Sequence, residues 1–296
     1  MKILVSGLLN IETTTAVRGF PIQYYPIDYS FFGINTAAAG VAFNISKALH
    51  TLGDEVRLIS LTGSDFSADY IRNELRNLEI STEYVRAKLQ QTPQSVVLYD
   101  PEGKRQIYCD LKDIQETTYE FDVSMLECVD LVAACNINFS RPLLHLAKNA
   151  GKRIATDVHV LSDICDAYNA EFMEYADILF LSDEAIGEYY QDFLRQLAKT
   201  YNSQIIVLGR GARGAAMYLR ESDQITEMPA VTAGQVANTV GAGDALFSGF
   251  LHYYGKGYAP LDALHRAQIF AAHKITVSGA SNGFVTEQEI ENWINQ

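Results

Sequence analysis

The sequence has few of the features that mark disulfide-bonded, zinc-binding or membrane proteins. Its four cysteines include no Cys-x-x-Cys pair, so neither a disulfide framework nor a zinc site is expected, and a reducing cytosol fits. No apolar run reaches the roughly 18 residues of a membrane span. The apolar start ends at Asn10 and Glu12 without the small-residue pattern of a cleaved signal peptide. We therefore expect a cytoplasmic protein.

Positive charge is also scarce. The chain has 23 Lys and Arg against 36 Asp and Glu, which gives a formal net charge of -13. Such a surface argues against general binding to nucleic acid or to an anionic membrane. A bound nucleotide must then be held by local features, namely backbone dipoles, a metal and a few basic side chains.

Two common nucleotide-binding motifs are missing or misplaced. The chain contains no G-x-x-x-x-G-K-[ST] sequence. Residues Gly209 to Gly214 spell G-x-G-x-x-G, but they lie late in the chain and precede a short, strand-like segment, Ala215–Arg220, where a dinucleotide-binding motif would open a helix. We therefore reject a dinucleotide-binding interpretation.

What the sequence does contain is a glycine-rich turn before an apolar run. Residues 238–244 read Asn-Thr-Val-Gly-Ala-Gly-Asp, and residues 245–251 are predicted to be helical. The N–H groups of Gly241, Ala242 and Gly243 and the positive end of the helix dipole would together suit a phosphate-type anion. Asp244 then either caps the helix or takes a proton from a hydroxyl that attacks phosphorus.

This string resembles the C-terminal signature of the PfkB-type carbohydrate kinases, the ribokinase family, which favours the catalytic alternative. Residues 39–44, Ala-Gly-Val-Ala-Phe-Asn, resemble the family's N-terminal signature, although Ala39 replaces its first glycine. The resemblance implies an α/β fold, a ribokinase-like three-layer sandwich with a mostly parallel central sheet and a small β-lid. It predicts a single kinase domain over residues 1–296, with lid segments at about 12–35 and 94–112.

The resemblance also implies how an acceptor would bind. Asn10 and Glu12 match an Asn-x-Asp pair that touches the sugar, although the residues alone would equally form a polar turn. Gly40 and Asn44 lie four positions apart in a helix predicted over Ala37–Leu52, which suits either ligand contact or close packing.

A small sugar is the first expected acceptor, and a nucleoside is the alternative. Aromatic side chains in the first lid segment suit stacking on a base, but they equally suit a lid core or a homodimer contact: Phe20, Tyr24, Tyr25, Tyr29, Phe31 and Phe32. A non-catalytic ligand sensor on the same fold is disfavoured, because Asp244 and the Gly-Ala-Gly turn are both present.

For ATP, the resemblance implies a nucleotide site built from Ser182, Gly209, Gly211, Gly214, Thr239 and Asn282. Asn282 would equally make its own turn, and Arg210 and Arg213 are expected to be exposed basic side chains. Glu184 is the candidate acid for organising Mg²⁺, although acids at a helix start explain it as well. Asn238 stands where the family commonly has an Asp that helps bind a monovalent cation, so a requirement for K⁺ is left open.

Overall fold

The computed structural model describes residues 1–295. Within that range the strands are β1 (Lys2–Ser6), β2 (Asn10–Ala16), β3 (Ile34–Ala39), β4 (Glu55–Thr62), β5 (Tyr84–Ala87), β6 (Gln94–Tyr99), β7 (Arg105–Asp110), β8 (Leu131–Ala134), β9 (Arg153–Val160), β10 (Ile178–Ser182), β11 (Ile205–Gly209), β12 (Ala215–Leu219) and β13 (Gln224–Met228). The α-helices are α1 (Val41–Thr51), α2 (Phe66–Asn77), α3 (Arg141–Asn149), α4 (Ala170–Tyr175), α5 (Tyr190–Thr200), α6 (Ala242–Gly255), α7 (Pro260–Lys274) and α8 (Glu287–Ile294).

Nine strands form the large sheet, in the order β13-β12-β11-β10-β9-β8-β1-β4-β5. In the order of the sheet, every neighbouring pair from β5 to β11 is parallel. At the other edge the pairs β11–β12 and β12–β13 are antiparallel, so β12 alone of these strands runs in the opposite direction. Buried apolar runs such as Ile3-Leu4-Val5 in β1 are typical of parallel strands that are covered on both faces.

Helices cover both faces of this sheet. Ile3 and Val5 point to one side, where they join a core with α1, α6 and α7, while Leu4 points to the other side, where α3, α4 and α5 pack. The alternation follows from the period of two along a strand. These three layers confirm the predicted α/β architecture with a mostly parallel central sheet.

A second, small sheet has four strands in the order β3-β2-β6-β7. Its central pair, β2 and β6, is parallel, and the outer pairs are antiparallel. The rough alternation of residue types over residues 13–35 predicts short strands, but residues 17–33, between β2 and β3, contain no strand.

Two helix boundaries differ from the sequence-based prediction. Helix α1 begins at Val41 and not at Ala37, because Ala37, Ala38 and Ala39 pair with β2 and extend β3. The sequence predicts a helix over Leu261–Val277, but helix α7 ends at Lys274, three residues earlier. Within residues 1–295, none of the helices combines the length and the apolar character that crossing a membrane would take.

The strands position the site by where they end. In a parallel sheet all carboxyl ends lie at one edge, and ligands of open α/β sheets bind there. The chain leaves β1 at that edge and enters the small sheet at Asn10. Ser182 ends β10 and Gly209 ends β11 at the same edge.

Candidate active site

The glycine-rich turn before α6 forms the centre of the site. Gly241 caps α6 with φ +77°, and a Cβ added there would collide with the carbonyl oxygen of Ala280. The turn therefore packs on the backbone of a second segment, residues 275–285, which we call the C-terminal loop. Within the described chain the N–H groups of Gly241 and Gly243 have no backbone acceptor, while the N–H of Ala242 donates to the carbonyl oxygen of Thr239 at 3.2 Å. Free N–H groups at a helix start suit an anion.

Asp244 is the third residue of α6, and its side chain does not cap that helix. The residue is only 9% exposed, and Oδ2 accepts a 2.6 Å hydrogen bond from the side-chain nitrogen of Asn44. Burial raises the pKa of the Asp244 carboxyl, whereas the hydrogen bond from Asn44 lowers it. A buried carboxylate with a raised pKa is better suited to accept a proton than an exposed one is.

Gly40 explains how Asn44 comes to this place. Gly40 precedes α1 with φ +100°, and a Cβ there would collide with the carbonyl oxygen of Leu8. The N–H of Ala42 donates to the same carbonyl at 3.1 Å. Close packing of the helix start on the β1–β2 connection therefore needs glycine, and it holds the first turn of α1 against α6.

Two buried amide oxygens in this region have no hydrogen-bond partner among the described residues: Oδ1 of Asn10 and Oδ1 of Asn44. Their nitrogens are used, since Nδ2 of Asn10 donates to Oγ of Ser95 at 3.0 Å. Leaving a buried acceptor unpaired costs about 1–3 kcal/mol. Hydroxyl groups of a bound molecule would supply the missing donors.

Glu12 lies on the same face of β2 as Asn10, because the two are separated by one residue in an extended strand. Burial raises the pKa of the Glu12 carboxyl, and a hydrogen bond from the backbone of Ala280 lowers it. Asp244 raises the same pKa by repulsion, and Lys274 lowers it by attraction. Glu12 is therefore part of one electrostatic group with the carboxylate of Asp244.

Four of the residues predicted to bind the nucleotide lie at the ends of β10 and β11 or between β11 and β12: Ser182, Gly209, Gly211 and Gly214. Ser182 and Gly209 are register partners, and Gly211 begins a single 3₁₀ turn that leads into β12. Gly214 has φ +91°, and a Cβ there would collide with the carbonyl oxygen of Met228. The G-x-G-x-x-G sequence is thus a strand–turn–strand, which confirms that it does not open a dinucleotide-binding helix.

The two arginines of this turn are engaged by acids. The sequence predicts an exposed Arg210, and this is wrong: the side chain is 9% exposed, stacks 3.9 Å from the ring centre of Tyr190 and pairs with Glu227 at 2.9 Å. Arg213 is 47% exposed and pairs with Asp183 at 2.6 Å. Both guanidinium groups therefore fasten the turn to its neighbours.

Asn282 and Asp157 also have defined places. Nδ2 of Asn282 donates to the carbonyl oxygen of Ser278 at 3.2 Å, as a turn residue would. Asp157 lies within β9, which continues to Val160. It is 9% exposed, and its Oδ2 lies 3.9 Å from a Cβ built on Gly243, next to the glycine-rich turn.

Arg105, at the start of β7, is a candidate site residue that the sequence analysis missed. Its Nη1 donates to Oγ1 of Thr239 at 3.2 Å, and its Nη2 lies 3.5 Å from the carboxylate of Glu184. One guanidinium therefore links the small sheet to the glycine-rich turn and to the acid after β10. No local motif signals this contact, since 134 positions separate Arg105 from Thr239.

Glu184 is 62% exposed, and within residues 1–295 its one ionic partner is Arg105. In residues 1–295 no group of three or more His, Cys, Asp or Glu side chains is placed to hold a metal ion. An exposed single carboxylate fits contact with the waters of a metal ion that is carried mainly by phosphates.

Comparison with known proteins identifies the family of the chain. The sequence profile of the pfkB family carbohydrate kinases matches residues 2–287. A fructosamine kinase of Bacillus subtilis is 25% identical over 90% of this chain and 91% of its own length. A nucleoside kinase of Methanocaldococcus jannaschii is 24% identical over 81% of this chain and 80% of its own length.

The fold has solved counterparts as well. A microbiome-derived acarbose kinase superimposes with a TM-score of 0.88 at 20% identity, over 100% of this chain and 99% of that one. The family fits ATP-dependent kinase activity, and these relatives act as kinases of sugars or nucleosides. The chain belongs to the pfkB family of carbohydrate kinases.

Proposed function

We propose that the chain transfers the γ-phosphoryl group of ATP to a hydroxyl of a small sugar. The observation that carries this proposal is the buried carboxylate of Asp244, held by Asn44 and next to free N–H groups at the start of α6. A carboxylate beside a phosphate site repels the phosphate, but it is well placed to take the proton of the attacking hydroxyl.

The residues divide into two roles. Asn10, Glu12, Gly40 and Asn44 hold and orient the acceptor, with the unpaired oxygens of Asn10 and Asn44 accepting hydroxyl hydrogens. Asp244 accepts the proton, and the N–H groups of Gly241, Ala242 and Gly243 stabilise the charge on the transferring group. The N–H of Ala242 donates to the carbonyl oxygen of Thr239 and would share this hydrogen with the bound anion.

The nucleotide lies along the ends of β10 and β11, against Ser182, Gly209, Gly211, Gly214, Thr239 and Asn282. Mg²⁺, when bound, would neutralise part of the negative charge of the phosphates. Glu184 orients the waters of that ion. Its exposure supports this role, as does the fact that Arg105 is its one ionic partner in the described part of the chain.

The small sheet acts as a lid on a single kinase domain, from segments at about residues 12–35 and 94–112. Asn10, Glu12 and Arg105 belong to it, and all three lie at the site. The lid is also the proposed surface of a homodimer in the cytoplasm, since it exposes large apolar side chains: Tyr24, Ile27, Tyr29, Phe31, Phe32, Ile107 and Tyr108. Sedimentation of wild type against Ile107→Ser with Tyr108→Ser tests this, and a wild-type monomer contradicts it.

A nucleoside is the second candidate acceptor. Exposed aromatic rings in residues 17–33, such as Tyr24 and Phe31, suit stacking on a base. A relative among the nucleoside kinases supports this alternative.

ADP release from ATP and Mg²⁺, measured against a panel of sugars, amino-sugar adducts and nucleosides, tests the proposal. Turnover with a sugar supports it, and turnover with nucleosides alone replaces it by the second candidate. A protein that binds ATP and turns over no member of a broad panel contradicts both candidates and favours a ligand sensor.

A further inference from the structure

Lys274, the last residue of α7, is a fully buried lysine that the proposed reaction leaves unused. Its relative exposure is 0%. Its side chain runs between the glycine-rich turn and the C-terminal loop. Nζ donates to the carbonyl oxygen of Val240 and, at 2.8 Å, to the carbonyl oxygen of Gly279.

The environment of this ammonium group is made of carbonyls and not of a salt bridge. Within residues 1–295 Nζ forms no ion pair, and Asp244 and Glu12 act on it only by attraction over a longer distance. Burial lowers the pKa of Lys274 to about 8, which those two carboxylates partly oppose. Burying an unpaired charge costs several kcal/mol, so such a position is rarely occupied for packing alone.

Each carbonyl that Lys274 holds belongs to a peptide that serves the site. The C=O and N–H of a planar trans peptide point in opposite directions. By holding Val240 O, the ammonium turns the N–H of Gly241 away from itself, towards the anion position. By holding Gly279 O, it directs the N–H of Ala280, whose backbone hydrogen bond reaches Glu12.

A cation surrounded by backbone carbonyls is the environment that proteins also offer to K⁺. The family resemblance implies a monovalent cation beside this turn, but the residues here do not fit a second one. The ammonium already takes Val240 O and Gly279 O. The oxygen of Asn238 accepts from the N–H of Val240 at 3.2 Å, and Asn238 brings no charge.

We propose that Lys274 is a built-in monovalent cation for the glycine-rich turn, which orients the anion-binding N–H groups in place of a bound potassium ion. It is a positioning residue and touches neither acceptor nor ATP. The proposal rests on the proposed kinase function, and it predicts that the chain works without K⁺.

The deciding experiment compares the wild-type chain with Lys274→Met, and with Lys256→Met as the control, since Lys256 lies on the surface beside Glu287. Crystals of each are soaked in RbCl, and anomalous scattering locates bound Rb⁺. We expect no Rb⁺ at the carbonyls of Val240 and Gly279 in the wild type or the control, and an Rb⁺ ion there in Lys274→Met. Rb⁺ at these carbonyls in the wild type overturns the proposal.

Two solution measurements at constant ionic strength accompany the crystals. Replacing choline chloride by KCl changes the turnover and the unfolding temperature of the wild type little, by less than about twofold in rate. Lys274→Met loses about tenfold or more in rate, and KCl or ammonium chloride restores much of it. Activation of the wild type by K⁺ of about tenfold or more contradicts the proposal.

These readouts separate the two proposals. If no acceptor is found, the Rb⁺ position and the effect of KCl on the unfolding temperature still decide the role of Lys274. If Lys274→Met does not fold, the wild-type crystals and the wild-type response to KCl decide it alone.

Discussion

The side-chain nitrogen of Asn44 donates a 2.6 Å hydrogen bond to Oδ2 of Asp244, across 200 positions of the sequence. The bond joins the first turn of α1 to the first turn of α6, and both residues are buried. A donor to one carboxylate oxygen stabilises the ionised form and fixes the direction of the other oxygen. Asn44 thus prepares Asp244 to accept a proton.

Replacing the proposed base, Asp244, should lower the rate of phosphoryl transfer and leave ATP binding unchanged. We expect Asp244→Asn to lower kcat by about 10²–10⁴-fold, because positioned general bases contribute that much. ATP binding, measured by calorimetry, should change little. Asp262→Asn is the matched control, since Asp262 is the third residue of α7 as Asp244 is of α6. Equal kcat values for the two variants would remove Asp244 from the mechanism.

The same substitution should stabilise the protein near neutral pH. The pKa of Asp244 is raised in the folded state, so the stability that its protonated form contributes is complete below the unfolded pKa and is lost as pH rises through the folded pKa. Asp244→Asn removes the buried charge. We expect its unfolding temperature to exceed that of the wild type at about pH 7, with the gap closing towards about pH 4. A gap independent of pH would contradict this account.

Removing the donor should shift the pH dependence of the reaction. The Asn44 hydrogen bond lowers the pKa of Asp244. Asn44→Leu keeps a similar volume and deletes the donor, so the acid limb of the kcat profile should move to higher pH. The KM for the acceptor should also rise, since Oδ1 of Asn44 is lost. Asn73→Leu, on the exposed face of α2, is the control. An unmoved acid limb would show that Asn44 only packs.

Replacing Arg105 should raise the KM for ATP and leave the KM for the acceptor unchanged. Its guanidinium lies at Thr239 and Glu184, where the phosphates are proposed to lie. A charge-assisted hydrogen bond contributes about 1.5–3 kcal/mol, so Arg105→Met should raise the KM for ATP by roughly tenfold or more. Arg105→Lys should recover part of the loss, and the exposed neighbour Lys104 changed to Met should cause none. An unchanged KM for ATP in Arg105→Met would make the contact purely structural.

The sequence predicted site residues that belong to one local motif, and it missed site residues that folding brings together from distant parts of the chain. The turn at Gly241, Ala242 and Gly243 has a local signature, because helix starts and positive φ angles restrict the residue type nearby. Lys274 and Arg105 have none: a lysine at a helix end and an arginine in a hairpin are ordinary until folding buries one and brings the other to Thr239. The start of α1 was misplaced for a related reason, since the pairing of β3 with β2 overrides the helical preference of three alanines.

Gly241 allows the packing of the turn on the C-terminal loop to be tested separately from backbone strain. Gly241 and Gly257 both have positive φ, +77° and +92°, but a Cβ on Gly257 has no neighbour within 4 Å. Gly257→Ala should therefore cost only the left-handed backbone term, about 1–2 kcal/mol of unfolding free energy, and keep ATP binding intact. Gly241→Ala adds a collision with the carbonyl oxygen of Ala280, the residue whose backbone N–H donates to Glu12. It should lose more stability in urea unfolding and bind ATP less tightly. Equal costs for the two variants, with normal ATP binding in Gly241→Ala, would mean that the turn tolerates displacement and that its contact with Ala280 does not set the anion site.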